Sequence, residues 1–356
     1  MINVVCINQL ELNWKNNIVC DKRLSQHHIY NILYYLLDYY NWQLCLYEDL
    51  EKNCNDISNF FISKYKEIPN YFIMFENSFQ IYKWKFPDNL KIINICVDTI
   101  FRSRKNIYKT KCFNKCDAVF SCYGYNIQKC MPKTKSDKIV FFPHSIYYKS
   151  NFNDNPINKI FVGGHIFNYP PREYMLKMSK TKYKNLIDVS IPTVNYSVKK
   201  DQIDTVIFGQ KFVDKMNLYL ICFTDDVIGN NKQVIKECGG NGYIVEKHFE
   251  ILASGSLLIS FNERTKDMFE LLGFKDNEHY ISVNYDNINE KIEFVLDPNN
   301  RYIVDTIRKN GYDLALKFHT YINRAEYINK WVMEKKSLNI QKHYNKRYNT
   351  HFILGL

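Results

Sequence analysis

The chain has 356 residues, 46% of them hydrophobic and 24% charged, which suits two compact cores and excludes a disordered polymer. Its formal net charge of +11 fits an anionic partner, but the lysines are scattered and form no block, and a wealth of Lys, Asn, Ile and Tyr is also what AT-rich coding produces. The 11 cysteines are odd in number and hold no C-x-x-C pair, so a disulfide framework is excluded and reduced thiols in a cytoplasmic setting are expected.

In chain order, residues 2–7 read as a strand, and residues 28–40 follow with apolar positions at helical spacing. Short apolar runs at 43–47, 70–75, 90–97, 118–121 and 138–142 read as further strands. Alternation of this kind implies a mostly parallel sheet covered on both faces. No leader is read at the start, because Asn3, Asn8, Glu11 and Lys15 interrupt the apolar run, and no stretch reaches the roughly 18 apolar residues of a membrane-spanning helix.

Residues 150–158 are rich in Asn, Asp and Ser and read as a linker. A second α/β unit then opens with a strand at 159–162 and a helix from about Arg172. Strands at 218–223, 256–261 and 280–283 follow, with helices at 247–253, 265–272, 288–296 and 300–318. The expected division is 1–150, 156–320, and a C-terminal segment 321–356 whose helical part returns to the N-terminal domain and whose end is basic. Ligands of open α/β sheets bind outside the carboxyl ends of the strands, so the site is expected there, between the two units.

Several residues at such ends carry chemistry. Gly163 and Gly164 follow a strand, where they either make a tight turn or let backbone N–H groups approach a phosphate. Arg172 near a helix start has the fork that suits phosphate oxygens, and otherwise is a solvated helix residue. Glu250, placed in the first turn of its helix, either complements the helix dipole or accepts hydrogen bonds from a ribose diol. Lys247, His165 and His248 are candidate phosphate or sugar donors, and Gly255 ends the helix with positive φ. Asp98 follows a strand of the first unit, where it is either a helix cap or a general base. His144 and His319 read as structural. No D-x-D triplet occurs, and the adjacent pair Asp225-Asp226 makes a poor chelate, so no metal is expected.

The ordered set of motifs over residues 156–330 resembles the CgeB-like (spore-maturation-type) glycosyltransferases, which are related to the large "glycosyl transferases group 1" set. Lys247, Phe249-Glu250, Ala253, Gly255 and the apolar run 257–259 carry the resemblance, followed in order by 267–270, 279–283, 292–296, Gly311, His319-Thr320 and Arg324-Ala325. Upstream, KIFVGGHIFNYPPREYM at 159–175 resembles the opening strand, Gly loop and Tyr-Pro-x-Arg helix start of that family.

The resemblance implies a GT-B fold: α/β, with two Rossmann-like domains whose mostly parallel sheets face a cleft. It implies a nucleotide-diphosphate-sugar donor in the C-terminal domain, bound by Gly163, Gly164, His165, Arg172, Lys247, His248, Glu250 and Gly255. Asp98 would stand on the acceptor side. The nucleotide-sugar is a co-substrate, and no separate cofactor is expected. The acceptor would be a glycan, glycolipid or protein. Transfer to nucleic acid, or a degenerate non-catalytic protein that binds nucleic acid or a partner, is the competing reading that the charge suits. One departure is plain: retaining relatives carry a second Glu eight positions before the ribose Glu, and this chain has Gly242 there.

Overall fold

The computed structural model describes residues 2–7, 27–75, 84–96, 106–122, 138–164, 166, 169–190, 209–226 and 242–334. The chain divides into two compact units between Pro143 and His144, ahead of the Asn-rich stretch at 150–158. Residues 321–334 belong to the first unit.

The first unit is built on a six-stranded parallel sheet in the order β2-β1-β3-β4-β5-β6. Its strands are β1 (Asn3–Ile7), β2 (Gln43–Leu46), β3 (Tyr71–Phe75), β4 (Lys91–Cys96), β5 (Ala118–Ser121) and β6 (Ile139–Phe141). Every residue of β1, β3 and β5 is buried, as expected where a parallel sheet is covered on both faces. The helices are α1 (His27–Tyr39), α2 (Tyr47–Lys52), α3 (Ile57–Tyr65) and α4 (Asn106–Lys115). The side chain of Asp56 caps α3 by accepting the Asn59 N–H at 3.2 Å. A further helix, Tyr321–Glu334, packs on α1 and lays Trp331 edge-on against Phe120 at 5.4 Å. Trp42 donates its indole N–H to Asn329 Oδ1 at 3.2 Å within the same unit.

In the second unit, five parallel strands stand in the order β11-β10-β9-β7-β8. They are β7 (Ile157–Gly163), β8 (Ile187–Ser190), β9 (Tyr219–Asp225), β10 (Leu257–Phe261) and β11 (Ile281–Val283). Helices α5 (Pro170–Lys180), α6 (Gln210–Asn217), α7 (Glu246–Ser254), α8 (Lys266–Leu271), α9 (Ile288–Leu296) and α10 (Arg301–Phe318) accompany them, and Tyr321–Glu334 is then α11. Ile160, Val162, Leu220, Phe223, Leu257 and Ile259 form the centre of the core.

Two expectations need correction here. β7 begins at Ile157, inside the stretch read as linker, because Ile157 already donates its N–H to Leu218 O at 2.8 Å. Strand β8 and helices α2, α3, α4 and α6 escaped the sequence reading. β8 is a four-residue edge strand with one buried residue, and α6 has only eight residues, so neither shows a long periodic pattern. Five calls fall partly or wholly outside the described residues: Asp98, His165, residue 97 of the run read at 90–97, residues 335–336 of the segment read as the last helix, and the basic tail.

Arg308 locks the second unit. Its side chain is 1% exposed and its guanidinium lies 4.3 Å from the centroid of the Phe152 ring. Nε donates to Gly255 O at 2.8 Å, Nη2 to Asn153 O at 2.6 Å and Nη1 to Asp305 at 2.8 Å. Gly255, at φ +79°, caps α7, and a Cβ there would press on Phe152 at 3.1 Å. An Arg308→Met variant keeps much of the volume but leaves two carbonyls without their donor. We expect a loss of about 3–5 kcal/mol of stability, read by urea denaturation, since each orphaned buried acceptor costs about 1–3 kcal/mol. A change below about 1 kcal/mol would show that water replaces the guanidinium.

Candidate functional site

The site is built at the carboxyl ends of β7 and β9, which the register sets side by side by pairing Val162 with Phe223. β7 ends in Gly163, and Gly164 turns the chain at φ +89°, a conformation that favours glycine. α5 starts on Pro170-Pro171, whose missing N–H groups suit a first turn, and so aims Arg172 back at the sheet. Arg172 is buried, with Nη2 2.6 Å from Asp225 Oδ1 and 3.4 Å from Thr224 Oγ1. Its guanidinium lies 4.6 Å from the centroid of the Tyr169 ring.

Lys247 reaches the same point from α7 and donates Nζ to Gly163 O at 2.7 Å. A Cβ on Gly164 would collide with that ammonium and come within 3.9 Å of Arg172 Nη1. Glycine is therefore favoured at 164 by its φ, and a side chain there would also push the Lys247 ammonium aside. Arg172 enters this cluster already bound to Asp225, so it is not the solvated helix residue of the alternative reading.

Burial sets the protonation of the cluster. It pushes Lys247 down to about 7, with Arg172 adding to the shift and Glu250, Asp225 and Cys222 opposing it. Glu250 is pushed up to about 8 by burial first and by Glu246 next, with Lys247 opposing. Both side chains keep partial access to solvent. Burial, then Tyr147, Glu246 and Glu250, raises Tyr148 to about 12. The Tyr148 ring packs on Gly209, whose φ is +60°, at 3.0 Å from where a Cβ would stand.

Other candidates lie elsewhere. Glu250 is the fifth residue of α7, which starts at Glu246, so it stands in the second turn and not the first. It lies one turn from Glu246 on the same face. His248 faces the core, wholly buried, with Nδ1 3.2 Å from Val245 O and Nε2 3.0 Å from Ser260 Oγ. Burial lowers it to about 3, so it stays neutral and offers no charge to a ligand. Gly255 serves as the helix cap held by Arg308 and touches no part of the cluster. His319 places Nε2 2.9 Å from Leu272 O and stacks on Phe274, and His144 is buried.

Asp225, Glu246 and Tyr148 were not picked out from the sequence as site residues. Only the position of Asp225 at the end of an apolar strand could have flagged it. Gly242 has a local reason: a Cβ there would stand 3.0 Å from Asp226 Cγ and clash with its main-chain oxygen. Among the described residues, no three His, Cys, Asp or Glu side chains group as metal ligands.

No protein-family model matches the sequence, and no curated protein matches it either. Solved structures do. The glycosyltransferase from Rickettsia africae ESF-5 superposes with a TM-score of 0.52 at 12% identity, over 95% of this chain and 99% of that one. Anabaena Alr3699/HepE, solved in complex with UDP and glucose, gives 0.53 at 9% identity, over 94% and 100%. TarM gives 0.50 at 11% identity over 74% of this chain, which spans only 54% of TarM. At these identities the likeness is one of fold: two units with parallel sheets and flanking helices, the GT-B architecture.

Proposed function

We propose that the chain is a glycosyltransferase that takes its sugar from a nucleotide-diphosphate-sugar, without a metal, and passes it to a glycan, a lipid-linked glycan or a protein. One observation carries this reading: Arg172 and Lys247 close around the Gly163-Gly164 turn at the sheet's carboxyl end, with Glu250 one helical turn beyond. Two cations beside a glycine turn at a strand end are the complement of a diphosphate. A carboxyl group at the far side suits the two hydroxyls of a ribose. The GT-B fold supports the reading, and so does the neighbour solved with UDP and glucose.

In this mechanism Arg172 and Lys247 offset the charge that develops on the leaving diphosphate as the sugar–oxygen bond breaks. They act from a partly desolvated site, where such charges count for more than in water. Asp225 fixes the Arg172 fork, so its orientation needs no rearrangement at the moment of reaction. Transfer to nucleic acid is the second reading, and the net charge of +11 is what favours it. Steep loss of DNA binding with salt, with DNA as the best acceptor, would select it.

The ribose role of Glu250 predicts a nucleotide-binding defect. With its carboxyl lifted to about 8, Glu250 is mostly protonated at neutral pH, and each hydrogen bond to it contributes about 0.5–1.5 kcal/mol, so Glu250→Ala should weaken UDP binding about tenfold. Glu250→Gln should lose less. Calorimetric titration reads the affinity, with melting temperature as the control. Equal affinities for wild type and Glu250→Ala reject the role.

Lys247 predicts a pH dependence. With its ammonium pushed down to about 7, the free protein loses the charge as pH rises through neutrality. UDP-glucose, whose diphosphate diester does not titrate in this range, should therefore bind more weakly from pH 6 to pH 9, with proton uptake on binding near pH 8. Lys247→Met should flatten the profile. A wild-type profile already flat would mean that Lys247 does not meet the diphosphate.

Metal independence is tested directly. Sugar transfer or donor hydrolysis should survive EDTA, because the counter-charge comes from Arg172 and Lys247. Activity that vanishes with chelator and returns with Mn²⁺ or Mg²⁺ would overturn this part of the proposal.

A further inference from the structure

The segment 144–150 lies along α7. At its start the His144 ring stands 6.4 Å from that of Tyr243, just ahead of the helix. At its end Ser150 donates its N–H to Ala253 O at 3.2 Å, in the helix's last turn. Tyr148 falls between these two anchors, and Glu246 and Glu250 are the acids whose charge acts on its hydroxyl. The other flank of the segment is fixed by α6: Gln210 Nε2 donates to Lys149 O at 2.9 Å, and the Tyr148 ring packs on Gly209, where that helix begins. α6 also carries Phe212 to Gly163 and to Lys247, whose ammonium lies 5.4 Å from the ring centroid. Tyr148, Glu250, Lys247 and the glycine turn thus border the same corner between α6, α7 and the end of β7.

The Tyr148 ring is held, and its hydroxyl is left over. The residue is half-buried, and among the described residues that hydroxyl makes no hydrogen bond. Burial and the neighbouring acids keep its proton on up to about 12, so near neutral pH it both donates and accepts. The ligand that the donor reading puts here has a matching need. A ribose presents two adjacent hydroxyls, each a donor and an acceptor, and one carboxyl group cannot satisfy both.

We infer that Tyr148 is a nucleotide-binding residue whose hydroxyl meets one hydroxyl of the donor's ribose while Glu250 meets the other, which makes the site selective for ribonucleoside over deoxyribonucleoside donors. The inference rests on the donor reading above and adds to it a residue and a substrate class. A deoxynucleotide would leave either the phenol or the carboxyl group facing a C–H, and a site built to hydrogen-bond a hydroxyl discriminates against the analogue that lacks it.

The test is a cycle between the protein's hydroxyl and those of the ligand, read by calorimetry with melting temperature as the control. The tightest-binding of UDP, GDP and ADP is titrated into wild type and Tyr148→Phe, together with its 2′-deoxy and 3′-deoxy forms. Wild type should bind the ribonucleotide about fivefold tighter than either deoxy form, the worth of one hydrogen bond between neutral groups. Tyr148→Phe should weaken the ribonucleotide by about the same fivefold. For the deoxy form that lacks the hydroxyl met by Tyr148, the substitution should change affinity by less than about twofold, and for the other form it should again cost about fivefold.

Equal affinities of wild type and Tyr148→Phe for the ribonucleotide overturn the inference and leave the donor reading standing. A loss of one size on all three ligands overturns it too, because the hydroxyl then acts away from the ribose. Binding of dTDP in preference to every ribonucleotide has the same consequence. Failure of wild type to bind any of the four nucleoside diphosphates removes the donor reading itself, and this inference with it. Should Tyr148→Phe fail to fold, Glu250→Ala decides: with Tyr148 in place it should keep about fivefold discrimination against one deoxy form and lose it against the other. A Glu250→Ala protein blind to both overturns the inference.

Discussion

The buried ion pair between Arg172 and Asp225 is the interaction on which the second unit's strand ends depend. Its 2.6 Å contact joins α5 to β9 across 53 residues of sequence. A buried guanidinium left alone would be prohibitively costly, and the pair removes that cost only because the geometry is good. Once Arg172 is fixed, Lys247 must share the same ground with a like charge. Its attachment to Gly163 O and its nearness to Glu250 make that possible. Gly164 completes the set, since any side chain there would displace the ammonium.

α7 shows how one helix serves two purposes. Its residues His248, Phe249, Ile251 and Leu252 are buried and hold the helix to the sheet. Lys247 and Glu250, three positions apart, share the other face, and Glu246 stands one turn before Glu250. The core face fixes where the site face points. His248 illustrates the rule, since a titratable residue next to the site is turned inward by the helical period and tied to Ser260. A positively charged imidazole there would have to abandon its burial.

Much of the fold was legible because apolar runs bounded by turns are local signals. The runs at 118–121 and 288–296 became β5 and α9 with the same bounds, and most other ends moved by one or two residues. β8 was illegible for a physical reason: Asp188 is spent on Lys159 and the Tyr219 hydroxyl, so the strand carries no apolar run. In the candidate site, Gly163 and Gly164 were singled out by their place after a strand, whereas Lys247 and Glu250 came from the resemblance, and Glu250 was read one turn too early. The partner of Arg172 was not, because nothing in a sequence says which distant carboxylate a buried arginine will meet. Arg308 was missed for the same reason, since its acceptors Gly255 O and Asn153 O are main-chain oxygens that any residue type could supply.

The same desolvation acts on Lys247 and Glu250 with opposite consequences for charge, and the signs can be followed through folding. Glu250 rises from an ordinary 4.5 to about 8, so between those values the native state holds a proton that the unfolded chain has lost, and stability falls as pH rises. Lys247 drops from an ordinary 10.5 to about 7, so between those values the unfolded chain holds a proton that the native state has lost, and stability rises with pH. Near neutrality the two contributions oppose each other, and both groups stay close to their titration points. That is the condition in which an anionic ligand shifts their protons at least cost, because a group already poised between two states needs little free energy to settle into one.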